Sequence, residues 1–312
     1  MSRIITKDDV KIFKGKRYLP WFMKDTTNPN DIVSLKPPKK VVIFDLDETL
    51  GSFADLYILW GGIKQVNPDC DSIEEILDLF PEFLRFGILI ILEYLYECKT
   101  KKICYKIFIY TNNQCSTNWV TMIANYLEKK VKENFPDSSK KKLFDRIICA
   151  FKINNVPIEE CRSSHHKKVD DFLSCSMISE SEDICFIDDV DYPQMKGSKV
   201  YYICPRPYIH PLNTTKIINR MVKSNIFPPD KKIVFSESYW KSWFMIHKRR
   251  MIRRGNSDVT IDLQISKKII NHLRDFLHFG TLQRTKEKKT KKMKVPSLKK
   301  TRKNIKIQIE VK

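Results

Sequence analysis

The sequence predicts an α/β fold with a mostly parallel sheet. Three observations carry that prediction: five short runs of β-branched and aromatic residues, amphipathic helical patterns between several of them, and polar clusters directly after three of the runs. Strands alternating with helices build parallel sheets, and right-handed crossovers then place helices on both faces, giving three layers.

The elements follow in chain order. Residues 1–39 form a polar lead-in that ends at Pro37-Pro38. The run KVVIF, residues 40–44, then turns abruptly apolar, as does a strand buried on both faces. Residues 52–63 are long enough for a small flap, and Phe53, Tyr57 and Trp60 within it read as core rather than as an entrance lining. Apolar residues at helical spacing occupy 83–96, with Pro81 just ahead of them. YKIFIY at 105–110 is the second strand. Residues 116–135 start with a Ser/Thr cap and align Trp119, Met122, Ile123, Tyr126 and Leu127 on one helix face. RIICAF (146–151), ICFI (184–187) and KVYYI (199–203) complete the strand set, and no large cap domain is expected between residues 113 and 167. Past Pro229 the pattern becomes helical, over 237–254 and 262–279; the first of these sets Trp240, Trp243, Phe244 and His247 against Arg249, Arg250 and Arg253. The expected division is a lead-in at 1–39, an α/β domain at 40–229, a helical extension at 230–280 and a disordered basic tail at 281–312.

Composition narrows the class. With 312 residues and 42% hydrophobic content the chain can bury a core, and 8 glycines exclude glycine-rich architectures. No uncharged apolar run approaches the roughly 18–20 residues of a membrane span, and the first residues lack the apolar block of a secretory signal. The expectation is a soluble intracellular protein, cytoplasmic or nuclear, with no membrane partner. Nine scattered cysteines without a C-x-x-C pair point to reduced thiols, and the spacing of Cys161, His165, His166 and Cys175 fits no zinc template. Of the net charge of +20, the last 32 residues hold +11. Such a run serves as a solubilising tail, or as an arm for nucleic acid, an acidic protein or an import receptor.

The chemistry sits where strands end. After the first strand come Asp45-Leu46-Asp47-Glu48-Thr49-Leu50. In an extended chain Asp45 and Asp47 face the same way, and two such carboxylates call for a hard cation such as Mg²⁺. The second strand runs into Thr111-Asn112-Asn113, whose hydroxyl and backbone N–H groups at a helix start suit an anionic oxygen, or simply cap the helix. The fourth ends in Asp188-Asp189-Val190-Asp191. Ligands of open α/β sheets bind beyond the carboxyl ends of strands, so these clusters converge there. His165-His166-Lys167-Lys168 adds a basic element able to neutralise phosphate.

Acid pair, Thr-Asn, lysine and acid pair, in that order, resemble the four motifs of haloacid dehalogenase (HAD) superfamily phosphohydrolases over roughly residues 40–205. DLDETL is similar to the phosphatases that act on the carboxy-terminal domain of RNA polymerase II, as is LFPEFLR at 79–85; ICFIDD with the preceding HHKKVDDFL resembles uncharacterised HAD-like proteins of large DNA viruses. The resemblance implies a HAD-like Rossmannoid fold with an open site, and, for a viral chain, the host cell as its location. It makes Asp45 the nucleophile and Asp47 the general acid and base, with Thr49 orienting the loop. Thr111, Asn112 and Lys167 (or Lys168) would hold phosphate. Mg²⁺ would be bound by Asp45, the Asp47 carbonyl and the Asp188-Asp189 pair, with Asp189 favoured for direct coordination. The implied activity is a Mg²⁺-dependent phosphatase that passes through an aspartyl phosphate. Its expected partner is a phosphorylated macromolecule, first of all phosphoserine or phosphothreonine in a protein. Two departures bear on substrate: Asn112 replaces the small residue usual in polymerase-tail phosphatases, and Asp188-Asp189 replaces their Asp-Asn. Both are closer to general members of the superfamily, including polynucleotide 3′-phosphatases. The alternatives are that activity, or a non-catalytic binding module on the same fold.

Overall fold

In the computed structural model, which describes residues 5–19, 38–70, 72–136, 141–227 and 259–279, the chain opens with strand β1 (Val10–Lys14). The sequence reading placed these residues in a lead-in. Only Val10 of the five is fully buried, and Lys11 and Lys14 are exposed, a pattern that suits a sheet edge and resembles polar coil. Strand β2 (Lys40–Phe44) follows, then helices α1 (Phe53–Val66), α2 (Ile73–Leu79) and α3 (Ile88–Thr100). The stretch expected as a flap is therefore mostly helix: Phe53, Leu56, Leu59 and Ile63 recur at helical spacing and are buried. Helix α3 begins one turn later than its apolar pattern, because Gly87 caps it at φ 80°, a conformation open to glycine.

Strand β3 (Lys106–Tyr110) leads into α4 (Thr117–Lys132), where the Ser116 side chain accepts from Trp119 N–H as the expected N-cap. Strand β4 (Arg146–Ile148) comes next, followed by a small hairpin of β5 (Lys152–Ile153) and β6 (Val156–Pro157) that the sequence reading missed. Helix α5 (Val169–Ser176), β7 (Asp183–Ile187), β8 (Val200–Pro205), α6 (Thr214–Lys223) and α7 (Val259–His278) complete the described elements. The pattern change at Pro229, the helix expected at 237–254 and the basic tail at 281–312 lie outside the described residues.

Six strands form one sheet in the order β1-β8-β7-β2-β3-β4, parallel except for β1, which runs antiparallel to β8. Alternate residues serve opposite faces. Val41, Ile43, Phe108, Tyr110, Ile184, Phe186, Val200 and Tyr202 pack with Phe172 and Cys175 of α5. On the other face Tyr201 meets Phe276 of α7, with ring centroids 6.0 Å apart. Ile261, Ile265, Ile269 and Leu273 form the buried stripe of that helix, each adding about 1.5–3 kcal/mol by leaving water. These residues belong to one compact unit, 1–277; of the second, 278–312, only His278 and Phe279 are described. Among the described residues no helix is long and apolar enough to cross a membrane.

Topology determines where a ligand can bind. From β2 the chain moves outward through β3 and β4, then returns to the other side of β2 as β7 and β8. The order therefore reverses beside β2, the point at whose strand carboxyl ends open α/β sheets bind their ligands. Phe44 is level with Ile109 and with Ile187, so residues 45–49, 111–113 and 188–191 leave the sheet at one edge.

Candidate active site

Asp45 begins where β2 stops, its N–H donating to Ile187 O at 2.9 Å. The chain then turns sharply. Glu48 adopts φ 55°, its N–H reaches Gly51 O at 2.7 Å, and a Cβ on Gly51 would stand 2.6 Å from Phe83 O. Arg85, fully buried, holds this loop by its carbonyls: Nε donates to Thr49 O at 2.6 Å, and Nη2 to Glu48 O at 2.5 Å and Arg206 O at 3.0 Å.

The structure brings Lys167, rather than Lys168, to the acidic residues. Lys167 Nζ bonds Asp45 Oδ1, and Asp188 Oδ2 at 2.6 Å, while Lys168 turns to Ser163 Oγ at 2.9 Å. The Lys167 ammonium is 1% exposed and walled by the rings of Tyr192, Tyr110 and Phe186 at 5.4–5.8 Å. Burial acts to lower its pKa, but Asp188 and Asp45 outweigh burial and hold it above its usual range.

Thr49 reaches across to the far loop, donating to Asp189 Oδ1 at 2.8 Å and accepting from Asp189 N–H at 3.0 Å. Asp188 spends its second oxygen on Val190 N–H at 2.9 Å. Asp191, the last residue of that cluster, leaves it for an ion pair with Lys196. Oxygens of Asp45, Asp188 and Asp189 lie within 4.8 Å of one another, an arrangement able to hold a metal ion.

Thr111 is buried at the end of β3, and its Oγ1 accepts from Asn113 N–H at 3.0 Å. Asn113 Nδ2 in turn donates to Asp47 Oδ2 at 2.8 Å. Asn112 is held between Arg162 Nη2 on its Oδ1 (2.7 Å) and Tyr192 Oη under its Nδ2 (3.1 Å). The same Arg162 guanidinium, 2% exposed, donates to Thr111 O at 2.9 Å, Cys149 O at 2.7 Å and His165 O at 3.2 Å. It ties the Thr-Asn loop to the segment that delivers Lys167.

Burial first, and acid crowding after it, raises every carboxyl here whose shift is resolved. Asp47 is pushed up to about 7 by burial and then by Asp45, against the Asn113 amide and Lys167. Asp189 is pushed up to about 6 by burial and by Asp45, and Glu48 to about 9 by burial and Asp47. Burial raises Asp188 well above the carboxylate range, opposed by Lys167. Five acidic side chains crowd one ammonium here, and a divalent cation would let them ionise in place of the protons that their raised pKa values favour.

Three residues of this network had no side-chain role assigned from the sequence: Asn113, named only within Thr111-Asn112-Asn113, Arg85, quoted only within LFPEFLR, and Arg162. Asn113 had a signal, since it shares a side with Thr111 at period two. Arg162 and Arg85 had none, being indistinguishable from surface arginines. One expectation is corrected: not all cysteines are free thiols, because Cys161 and Cys175 form a disulfide with Cα atoms 5.1 Å apart. Helix α5 brings together two sulfurs 14 positions apart, a proximity that spacing alone does not disclose. Cys98, Cys104, Cys115, Cys149, Cys185 and Cys204 are free thiols.

No family model, curated protein or solved structure matches the chain.

Proposed function

We propose that this chain is a divalent-metal-dependent phosphohydrolase of the haloacid dehalogenase type that forms an aspartyl phosphate on Asp45, with phosphoserine or phosphothreonine in a protein segment as its substrate. The observation that carries this reading is the convergence of Asp45, Asp188, Asp189 and the buried Lys167 at the switch point of the sheet. A metal-free structural cluster would have no need for so many carboxylates at one crevice.

The donor set suits Mg²⁺. Among the described residues no hydrogen bond reaches Asp45 Oδ2 or Asp189 Oδ2, whereas both oxygens of Asp188 are engaged. Asp45 and Asp189 would therefore ligate directly, with Asp188 anchoring Lys167 beside them. When bound, the ion supplies positive charge to the phosphoryl oxygens. Asp45 attacks phosphorus in line as the ester oxygen departs, and Asp47 gives that oxygen its proton. In the second half Asp47 takes a proton from the water that hydrolyses the acyl phosphate. Lys167, the Thr111 hydroxyl and the backbone of Asn112 oppose the charge of the transferring group, and Arg162 holds that loop in place.

The test compares a phosphoserine peptide with a 3′-phosphorylated oligonucleotide, with Mg²⁺ and with chelator. Mg²⁺-dependent phosphate release from the peptide, abolished by Asp45→Asn, is expected. Release from the oligonucleotide alone would replace the substrate with the nucleic-acid end that Thr111-Asn112-Asn113 also fits. A folded chain active on neither, nor on an aryl phosphate, would be a binding module.

A further inference from the structure

We propose that Asn113 is a positioning residue that assigns the transferable proton of Asp47 to its Oδ1, equipping the site to expel weakly acidic alkoxide leaving groups. The inference rests on the phosphohydrolase reading above and deepens it to a substrate class: aliphatic rather than activated aryl esters.

The orientation of Asn113 is set by its neighbours. Its Oδ1 accepts from Cys115 N–H at 2.9 Å, which obliges Nδ2 to be the atom turned towards Asp47. Nδ2 can only donate, so Asp47 Oδ2, 2.8 Å away, must present a lone pair to it and cannot direct a proton along the same line. Asp47 Oδ1 is buried and has no partner among the described residues. A proton on Asp47 therefore resides on Oδ1, the oxygen left uncommitted for a reacting partner. Asn113 itself is 7% exposed and braced by Thr111 Oγ1, so the pair cannot readily exchange roles.

The step balances as follows. A carboxylate oxygen of Asp45 forms the new bond to phosphorus while the bond from phosphorus to the alkoxide oxygen breaks. The electron pair goes to that oxygen, which takes the proton from Asp47 Oδ1. In the return step water gives a proton to Oδ1 as its oxygen bonds phosphorus and the acyl–phosphate bond breaks. An alkoxide depends on this proton; a dinitrophenolate leaves without it.

The full chain is assayed with Mg²⁺ on an alkyl phosphate and on 2,4-dinitrophenyl phosphate, reading kcat/KM, which ends at release of the leaving group. Asn113→Asp keeps the acceptor for Cys115 and replaces the donor; Asn113→Ala removes both. Each variant is expected to lose ~30–100-fold on the alkyl ester and under ~3-fold on the aryl ester, so that the alkyl-to-aryl ratio falls at least ~10-fold. Folding effects act on both esters alike and cancel in the ratio, and the neutral Asn113→Ala controls for the charge that Asn113→Asp adds beside Asp47. An unchanged ratio in both variants overturns the assignment. A folded wild-type chain that hydrolyses neither ester overturns the phosphohydrolase reading, and the assignment with it.

Discussion

Replacing Lys167 with methionine removes the cation from a pair of carboxylates and leaves both buried. Asp188 is 1% exposed and Asp45 7%. Stripping one partner from a buried ion pair costs roughly 3–5 kcal/mol. Protonation limits that cost, because a carboxyl that cannot bear its charge takes up a proton instead. Holding a proton on a group whose unfolded-state pKa is near 4 costs about 1.4 kcal/mol per pH unit above that value. The penalty is therefore about 4 kcal/mol at pH 7 and about 1.4 kcal/mol at pH 5. The sign follows from the role of Lys167, which opposes the rise in the Asp188 pKa that burial causes: without the cation that pKa climbs further, so the deficit is small at low pH and grows as pH rises. Urea unfolding of wild type and Lys167→Met, in chelator at both pH values, measures the difference. A deficit below ~1 kcal/mol at pH 7, or one equal at the two pH values, would refute the electrostatic account of this lysine.

Other consequences are testable with the same material. Thr49→Val deprives Asp189 of its hydroxyl donor, and the Mg²⁺ concentration for half-maximal activity should rise ~10–100-fold, as measured by metal titration. Without metal, the raised carboxyls at about 6 (Asp189) and about 7 (Asp47) make the fold lose stability as pH climbs through those values. Mg²⁺ should accordingly raise the unfolding temperature at pH 8 and have little effect at pH 5, where protons compete for the same oxygens. Cys161→Ser opens a loop of 14 residues and should cost about 3 kcal/mol in denaturant unfolding under oxidising conditions, with no such cost in reductant.

The legible part of the fold was its interior. Lys40–Phe44 and Asp183–Ile187 are covered on both faces, so their sequences are continuous apolar runs that only a buried strand explains. Val10–Lys14 is an edge strand with one fully buried residue, and no run marks it. The site divided along similar lines. Asp45, Asp47, Thr111 and the Asp188-Asp189 pair stand directly after strands, and strand ends can be read from hydrophobicity. Lys167 arrives from a loop, where neither spacing nor composition separates it from Lys168; the distinction arises because Lys168 stands at the N-cap position just ahead of α5. Arg162 and Arg85 act through carbonyls distant in sequence, and a buried guanidinium carries no local mark. Asn113 was within reach, since the alternation that paired Asp45 with Asp47 pairs it with Thr111.

The covalent intermediate is the most direct test of the whole account. After brief incubation of the chain with an aryl phosphate and Mg²⁺, borohydride converts an acyl phosphate to homoserine, which peptide mass spectrometry locates. Homoserine at position 45, absent without Mg²⁺, is the predicted result; phosphate release with residue 45 unaltered, or modification at another carboxylate, would contradict it.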